Sequence, residues 1–183
     1  MKLTTGLVRI SYANLFTPKS INGSDPKYSV SLIIRKSDGK TVNRIKAALK
    51  QMLNDKATVD KMGGKTKGLH MPLRDGDADR DDEAYADSYF INANANESYP
   101  PKVLDKNLNE VIDKSEVYSG CYCQAVISFF PYNSNGNKGI GCGLLAIRKI
   151  KDGEPLSGAT VVDTDFSDDL IDDGGTTSDD DLF

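Results

Sequence analysis

Tryptophan is absent from this chain of 183 residues, and histidine occurs once, at His70. One imidazole excludes most nucleophile–histidine triads and every metal site built on several histidines. No P-loop, GxSxG or HExxH motif is present, so the common hydrolytic and phosphate-cradling machinery is missing, and no cofactor is expected. Three cysteines, Cys121, Cys123 and Cys142, are an odd number and do not suggest a disulfide framework. No apolar run approaches the roughly 20 residues that cross a bilayer. The opening stretch MKLTTGLVRI has no apolar core of a signal peptide. A soluble, cytoplasmic protein with no membrane role is expected.

Basic residues are also missing from one end. Residues 152–183 hold 11 of the 27 acidic residues and none of the 23 basic ones. The formal net charge of −4 therefore hides a body of about +7 over residues 1–151. A basic body joined to an acidic end is the division expected when the body meets a polyanion.

What is present is mostly strand. Residues 3–16 read as a strand in which Val8, Ile10 and Tyr12 alternate with Arg9, Ser11 and Ala13. In KYSVSLIIR (27–35), Tyr28, Val30, Leu32 and Ile34 form one face, and Ser29, Ser31 and Arg35 the other. Ser37 or Asp38 can cap a helix running to about Asp55, with Val42, Ile45, Ala48, Leu49, Met52 and Leu53 as its apolar stripe. GGKTKG (63–68) reads as a mobile loop, and residues 72–87 as a long polar connection. Strands follow at 88–95, 117–132 and 139–150, the last two joined as a hairpin by NSNGNK (133–138). Two strands, a helix and more strands with long loops predict a mainly β protein. The expected form is a small antiparallel barrel with an inserted helix, or alternatively an open sandwich. Beyond Leu156 apolar content collapses, so the chain divides into a domain (1–158) and a disordered acidic tail (159–183).

Strand parity separates candidate functions. On 117–132 the odd residues, among them Cys121, Cys123, Ala125, Ile127 and Phe129, are small or apolar, as a barrel interior requires. The even residues Tyr118, Tyr122, Phe130 and Tyr132 share a face with Gln124 and Ser128. Aromatics on a wetter face suit base stacking, worth roughly 1–3 kcal/mol per base and indifferent to sequence. Equally, they could pack beneath the 72–87 connection. Tyr12, Phe16 and Tyr89 could join them. Arg9, Arg35, Lys65, Lys67, Arg74, Lys102, Lys138 and Arg148 are candidate phosphate partners, and their weight is collective.

Two sets of residues could hold a metal. DGDADRDDE (75–83) resembles a calcium loop, but neither register, from Asp75 or from Asp77, puts Gly at the sixth and Glu at the twelfth position. The same acids could serve a metal-dependent nuclease, although no partnered lysine stands at a recognisable spacing. Cys121, Cys123, Cys142 and His70 could form a zinc site, yet the spacing fits no zinc knuckle or ribbon. No metal is expected.

The chain closes on SDDDLF (178–183). An exposed Leu182–Phe183 pair after Asp179, Asp180 and Asp181 suits a partner with an apolar pocket and a basic rim. Such an acidic tail ending in Phe resembles the C-termini of bacterial and phage single-stranded DNA-binding proteins, which recruit replication and repair proteins and compete with DNA for the basic groove. In the body, PLRDGD (72–77), YFINA (89–93), PPKVLD (100–105), VYSGCY (117–122) and KGIGCGLLAIRKIKDGEPLSG (138–158) resemble a phage family of single-stranded DNA-binding proteins, formerly known as a domain of unknown function. The resemblance covers most of residues 1–158. It implies an OB-fold, a phage origin, and DNA binding through barrel-face aromatics and basic residues. The resulting expectation is a non-enzymatic, sequence-independent single-stranded DNA-binding protein of replication, recombination or repair. Its tail would recruit proteins, and it would self-associate on DNA. A protein-interaction module without DNA binding is the alternative, and the nuclease a third.

Overall fold

The computed structural model describes residues 1–156. The chain runs β1 (Lys2–Thr4), β2 (Val8–Lys19), β3 (Lys27–Arg35), α1 (Gly39–Asn54), α2 (Lys56–Lys61), β4 (Arg74–Asp75), α3 (Gly76–Asp79), β5 (Ser88–Asn96), β6 (Lys102–Leu104), β7 (Tyr122–Ser134) and β8 (Asn137–Lys151). The expected tail, with Asp179–Phe183, lies outside the described residues.

Five strands close into a ring. β2 pairs with β3, β3 with β5, β5 with β8, β8 with β7, and β7 again with β2. Within the ring every pairing is antiparallel except β5–β8, which is parallel and held by the single register pair Asn94–Gly143. That seam leaves the barrel partly open, as in an OB-fold. The antiparallel barrel expected from the sequence is present, and the sandwich is not.

Alternation decides what fills the barrel. The odd residues of β7, Cys123, Ala125, Ile127 and Phe129, are buried, together with Ile10, Leu32, Ile34, Ile91 and Ile147. α1 packs its stripe of Val42, Ile45, Leu49 and Met52 onto this core. Asp38 caps it, accepting from the Thr41 amide at 3.1 Å. The β7–β8 hairpin turns at Asn135–Gly136, where φ of 50° and 81° match the two left-handed positions of a type I′ turn.

Four segments differ from expectation. Residues 117–121, with Tyr118, turn into β7 rather than forming its start. Residues 3–16 are two strands in line along β7, interrupted at Gly6. There the amide donates to Thr41 Oγ1 at 2.9 Å, and an added Cβ would stand 2.6 Å from that oxygen. Close packing against α1 therefore breaks the strand. Residues 56–61 form a helix that the sequence reading left out, capped by Asp55. The connection 72–87 is a structured strap rather than a polar loop. β4 adds to β5 through Arg74–Phe90 and Asp75–Tyr89. Tyr85 is fully buried, donates to Ser31 Oγ at 3.0 Å, and meets Phe90 edge-on at 5.2 Å between centroids. With Ile33 these residues make a second, smaller core on the outer side of the sheet. The polar face expected on β3 is thus partly buried, because the strap covers Ser31 and Ile33.

Candidate nucleic-acid interface

The outer face of β3 and β5 carries three hollows in series. Ile33, Arg35 and Ser88 line the first, beside Arg9 and Tyr122. Ser29, Ser31 and Asn92 line the second, with Tyr12 and Arg80. Lys27, Asn94 and Asn96 line the third and largest, of about 760 Å³, with Arg74, Phe130 and Tyr132. Register orders them along β3 from Arg35 to Lys27. Nine strand residues, eight steps of about 3.4 Å, span about 27 Å. OB barrels bind oligonucleotides on the corresponding second and third ring strands.

The third hollow lies at the β5–β8 seam, and its best-defined surface is Phe130. β7–β8 pairing sets Phe130 opposite Gly141. The ring lies over that glycine: a Cβ on Gly141 would stand 2.6 Å from Cζ and 2.7 Å from Cε2. One face of the ring thus rests on the β8 backbone while the residue remains 46% exposed. Tyr99, 76% exposed, stands at the rim. The structure therefore brings Phe130, Tyr132 and Arg74 together. Arg74 is shared with the strap: its guanidinium lies 5.0 Å from the Phe90 ring and bonds Asp79 at 3.2 Å.

Tyr122 and Arg9 meet in the first hollow, 5.7 Å apart from guanidinium to ring centroid. Lys151 approaches the same ring at 4.9 Å. Arg9 is oriented by donating to the Gly120 and Glu154 carbonyls. Arg35 is exposed at the rim. Tyr12 is 60% exposed in the second hollow, in a left-handed conformation with φ 47°.

The other expected contacts lie elsewhere. The Tyr118 hydroxyl meets Asp152 and Gly153, and burial together with the Asp152 carboxylate pushes its pKa up. Phe16 is half-buried against the core, with Lys114 5.9 Å from its ring. Tyr89 shares the core-facing side of β5 with Ile91; Lys36 and Lys46 lie over its ring at 5.4 and 4.8 Å. Arg148 donates twice to the Lys106 carbonyl. Lys65 and Lys67 lie exposed in the loop after α2, Lys102 is exposed on β6, and Lys138 borders the hairpin turn. None of these lines the three hollows.

Four acids of 75–83, Asp75, Asp77, Asp79 and Asp82, are already engaged. Lys36 reaches Asp75 at 2.8 Å and Asp77 at 2.6 Å, so an ammonium sits where a cation would be sought. Its hydrogen bonds hold both carboxyls below their usual range. Cys121 and Cys123 place their sulfurs 3.6 Å apart inside the barrel. Burial pushes Cys142 up to about 12, so it remains a thiol. Among the described residues, no three His, Cys, Asp or Glu side chains converge as a metal site. No helix there is long and apolar enough to cross a membrane.

Sequence reasoning missed Asn92, Asn94, Asn96, Lys27, Tyr99 and Arg80. The asparagines had a signal: in FINANAN every second residue is polar, and the parity argument used for β7 places them on the wet face of β5. Arg80 had none, being one base within an acidic run.

A partly open five-stranded barrel with an aromatic, amide and guanidinium track on its second and third strands has the form of an oligonucleotide-binding OB protein. The comparisons agree. The family model of the ssDNA-binding protein of Enterobacter phage Enc34 matches residues 1–181. Protein p50 of Acyrthosiphon pisum secondary endosymbiont phage 1 is 30% identical over 177 residues, covering 93% of this chain and 94% of p50. The Enc34 single-stranded DNA-binding protein solved in complex with ssDNA is 28% identical, with a TM-score of 0.68 over 85% of this chain and 89% of that one. The bacteriophage T7 single-stranded DNA-binding protein gp2.5 shares the fold, at 14% identity and TM-score 0.59 over 88% of this chain and 97% of its own. This chain belongs to the Enc34 phage ssDNA-binding protein family.

Proposed function

We propose that this chain binds single-stranded DNA without sequence preference, as a non-enzymatic protein of phage replication, recombination or repair acting in the host cytoplasm. The strand follows the three hollows along β3 and β5. Bases stack on Phe130, Tyr132 and Tyr122, with Tyr12 in the middle hollow and Tyr99 at the rim. Arg9, Arg35, Arg74 and Lys27 meet the backbone, and Asn92, Asn94 and Asn96 offer donors and acceptors to any base edge. The observation that carries this reading is Phe130, an exposed ring laid flat on a glycine at an open barrel seam. About 27 Å of track suits the lower end of OB-fold site sizes, roughly 4–16 nucleotides.

The acidic residues 159–183 have a second role in this reading. They compete with DNA for the basic groups of the track, and DNA binding frees Leu182 and Phe183, with Asp179, Asp180 and Asp181, for replication or recombination proteins. Neighbouring copies associate along the strand.

The test is binding of labelled oligo-dT across a salt series, with duplex of matched length as competitor. Tight, salt-sensitive binding that prefers the single strand is expected. Absence of binding by both the full chain and a chain lacking 160–183 would overturn the reading in favour of a protein-interaction module.

A further inference from the structure

We propose that Arg80 is the central phosphate-binding residue of this track, a guanidinium without an acidic partner among the described residues and held in place by three aromatic rings. The inference rests on the DNA-binding reading and names a contact within it.

Arg80 ends α3, its amide donating to the Gly76 carbonyl at 3.1 Å. The strap behind it is fixed by the β4–β5 pairing, the buried Tyr85 and the Lys36 ion pairs. From this mount the guanidinium reaches over Phe90 at 4.9 Å, Tyr85 at 5.1 Å and Tyr12 at 5.5 Å. Ring faces attract a cation and hold its plane without consuming its donors. An arginine set this way keeps its fork free for an anion.

Its neighbours make the lack of a partner informative. Asp75, Asp77, Asp79, Asp81, Asp82 and Glu83 surround Arg80 in sequence. Asp75 and Asp77 go to Lys36, and Asp79 to Arg74. Asp82 accepts from the Ala84 amide and faces a separate hollow with Lys19. Among the described residues, no carboxylate forms an ion pair with Arg80. Its Nε is buried and has no acceptor among the described residues. The two terminal nitrogens of the fork are not buried and make no hydrogen bond among the described residues, so they are the donors an anion in the hollow would meet. The hollow that Arg80 lines lies midway along β3, between the Arg9–Tyr122 hollow and the Phe130 hollow. A strand occupying both ends must pass over it. The ligand class is therefore the phosphodiester of a single strand.

The test uses full-length Arg80→Gln and Arg80→Lys with oligo-dT across a salt series. Arg80→Gln should weaken binding roughly tenfold or more at low salt, the value of one charged hydrogen bond. It should also lower the slope of log affinity against log salt by about 0.7, the share of one single-strand phosphate. Arg80→Lys should keep the slope. A Gln variant with unchanged slope overturns the proposal, because Arg80 then only packs the rings. Should Arg80→Gln fail to fold, phenylglyoxal modification of the wild type decides. Protection of Arg80 by oligo-dT is expected, and equal reaction with and without DNA refutes the contact. A wild type that binds no oligo-dT would instead remove the DNA-binding reading itself.

Discussion

Gly141→Ala is the substitution that isolates the Phe130 platform. The new methyl would stand 2.6 Å from Phe130 Cζ and 2.7 Å from Cε2, well inside van der Waals contact, so the ring must leave its seat. Gly141 is not among the glycines with positive φ, so alanine fits its backbone. Phe130 is 46% exposed and can swing into solvent, which keeps the stability cost near the roughly 0.5 kcal/mol of a surface substitution. Binding should suffer more. Phe130→Ala should cost roughly 1–3 kcal/mol, one stacked base, or about 5- to 150-fold in Kd. Gly141→Ala should lose most of that amount with Phe130 still present. The double variant should bind no worse than Phe130→Ala alone, since the glycine acts only through the ring. Fluorescence anisotropy with labelled oligo-dT measures all four corners, and thermal melts check the folding of each. Additive losses, or a Gly141→Ala protein that binds like the wild type, would refute the reasoning.

Tyr122→Ala should weaken oligo-dT binding by about the value of one stacked base, roughly 1–3 kcal/mol; unchanged anisotropy would make Tyr122 only a packing partner of Arg9 and Lys151. Removing residues 160–183 should tighten DNA binding at fixed salt and reduce its sensitivity to competing polyanions, while equal or weaker affinity would count against tail competition. The Lys36 bonds depress Asp75 and Asp77, so their contribution to stability is present above the unfolded carboxyl value of about 3.9 and fades as pH falls through the lower folded values. The melting-temperature gap between wild type and Lys36→Met should therefore hold from neutral pH to about pH 5 and close in more acid solution; a gap that does not vary with pH would show that the ion pairs do not hold the strap.

Much of the barrel could be read directly from the chain. Period-two alternation is a property of the extended backbone. It separated Cys123, Ala125, Ile127 and Phe129 from Tyr122, Phe130 and Tyr132 before any strand was paired. The Asp38 cap and the Asn135–Gly136 turn are equally local. The same reasoning stopped short at the site, because parity names a face and not its neighbours. It ranked Tyr118 and Phe130 alike and kept Tyr89 as a secondary candidate. Pairing separated them: Tyr89 faces the core beside α1, the Tyr118 hydroxyl is held at Asp152, and Phe130 lies open over Gly141.

The sequence by itself thus determined the strand faces, the capped helix, and the division of charge between a basic body and an acidic end. Tertiary structure decided where the track runs. Tyr85 and Ser31 are 54 residues apart and Lys36 and Asp77 are 41 apart, and no local pattern announces either contact. Burying Tyr85 against Ile33 and Phe90 folds an acidic stretch back onto the sheet. That contact turns Arg80 from one base in a run of acids into a cation held over three rings.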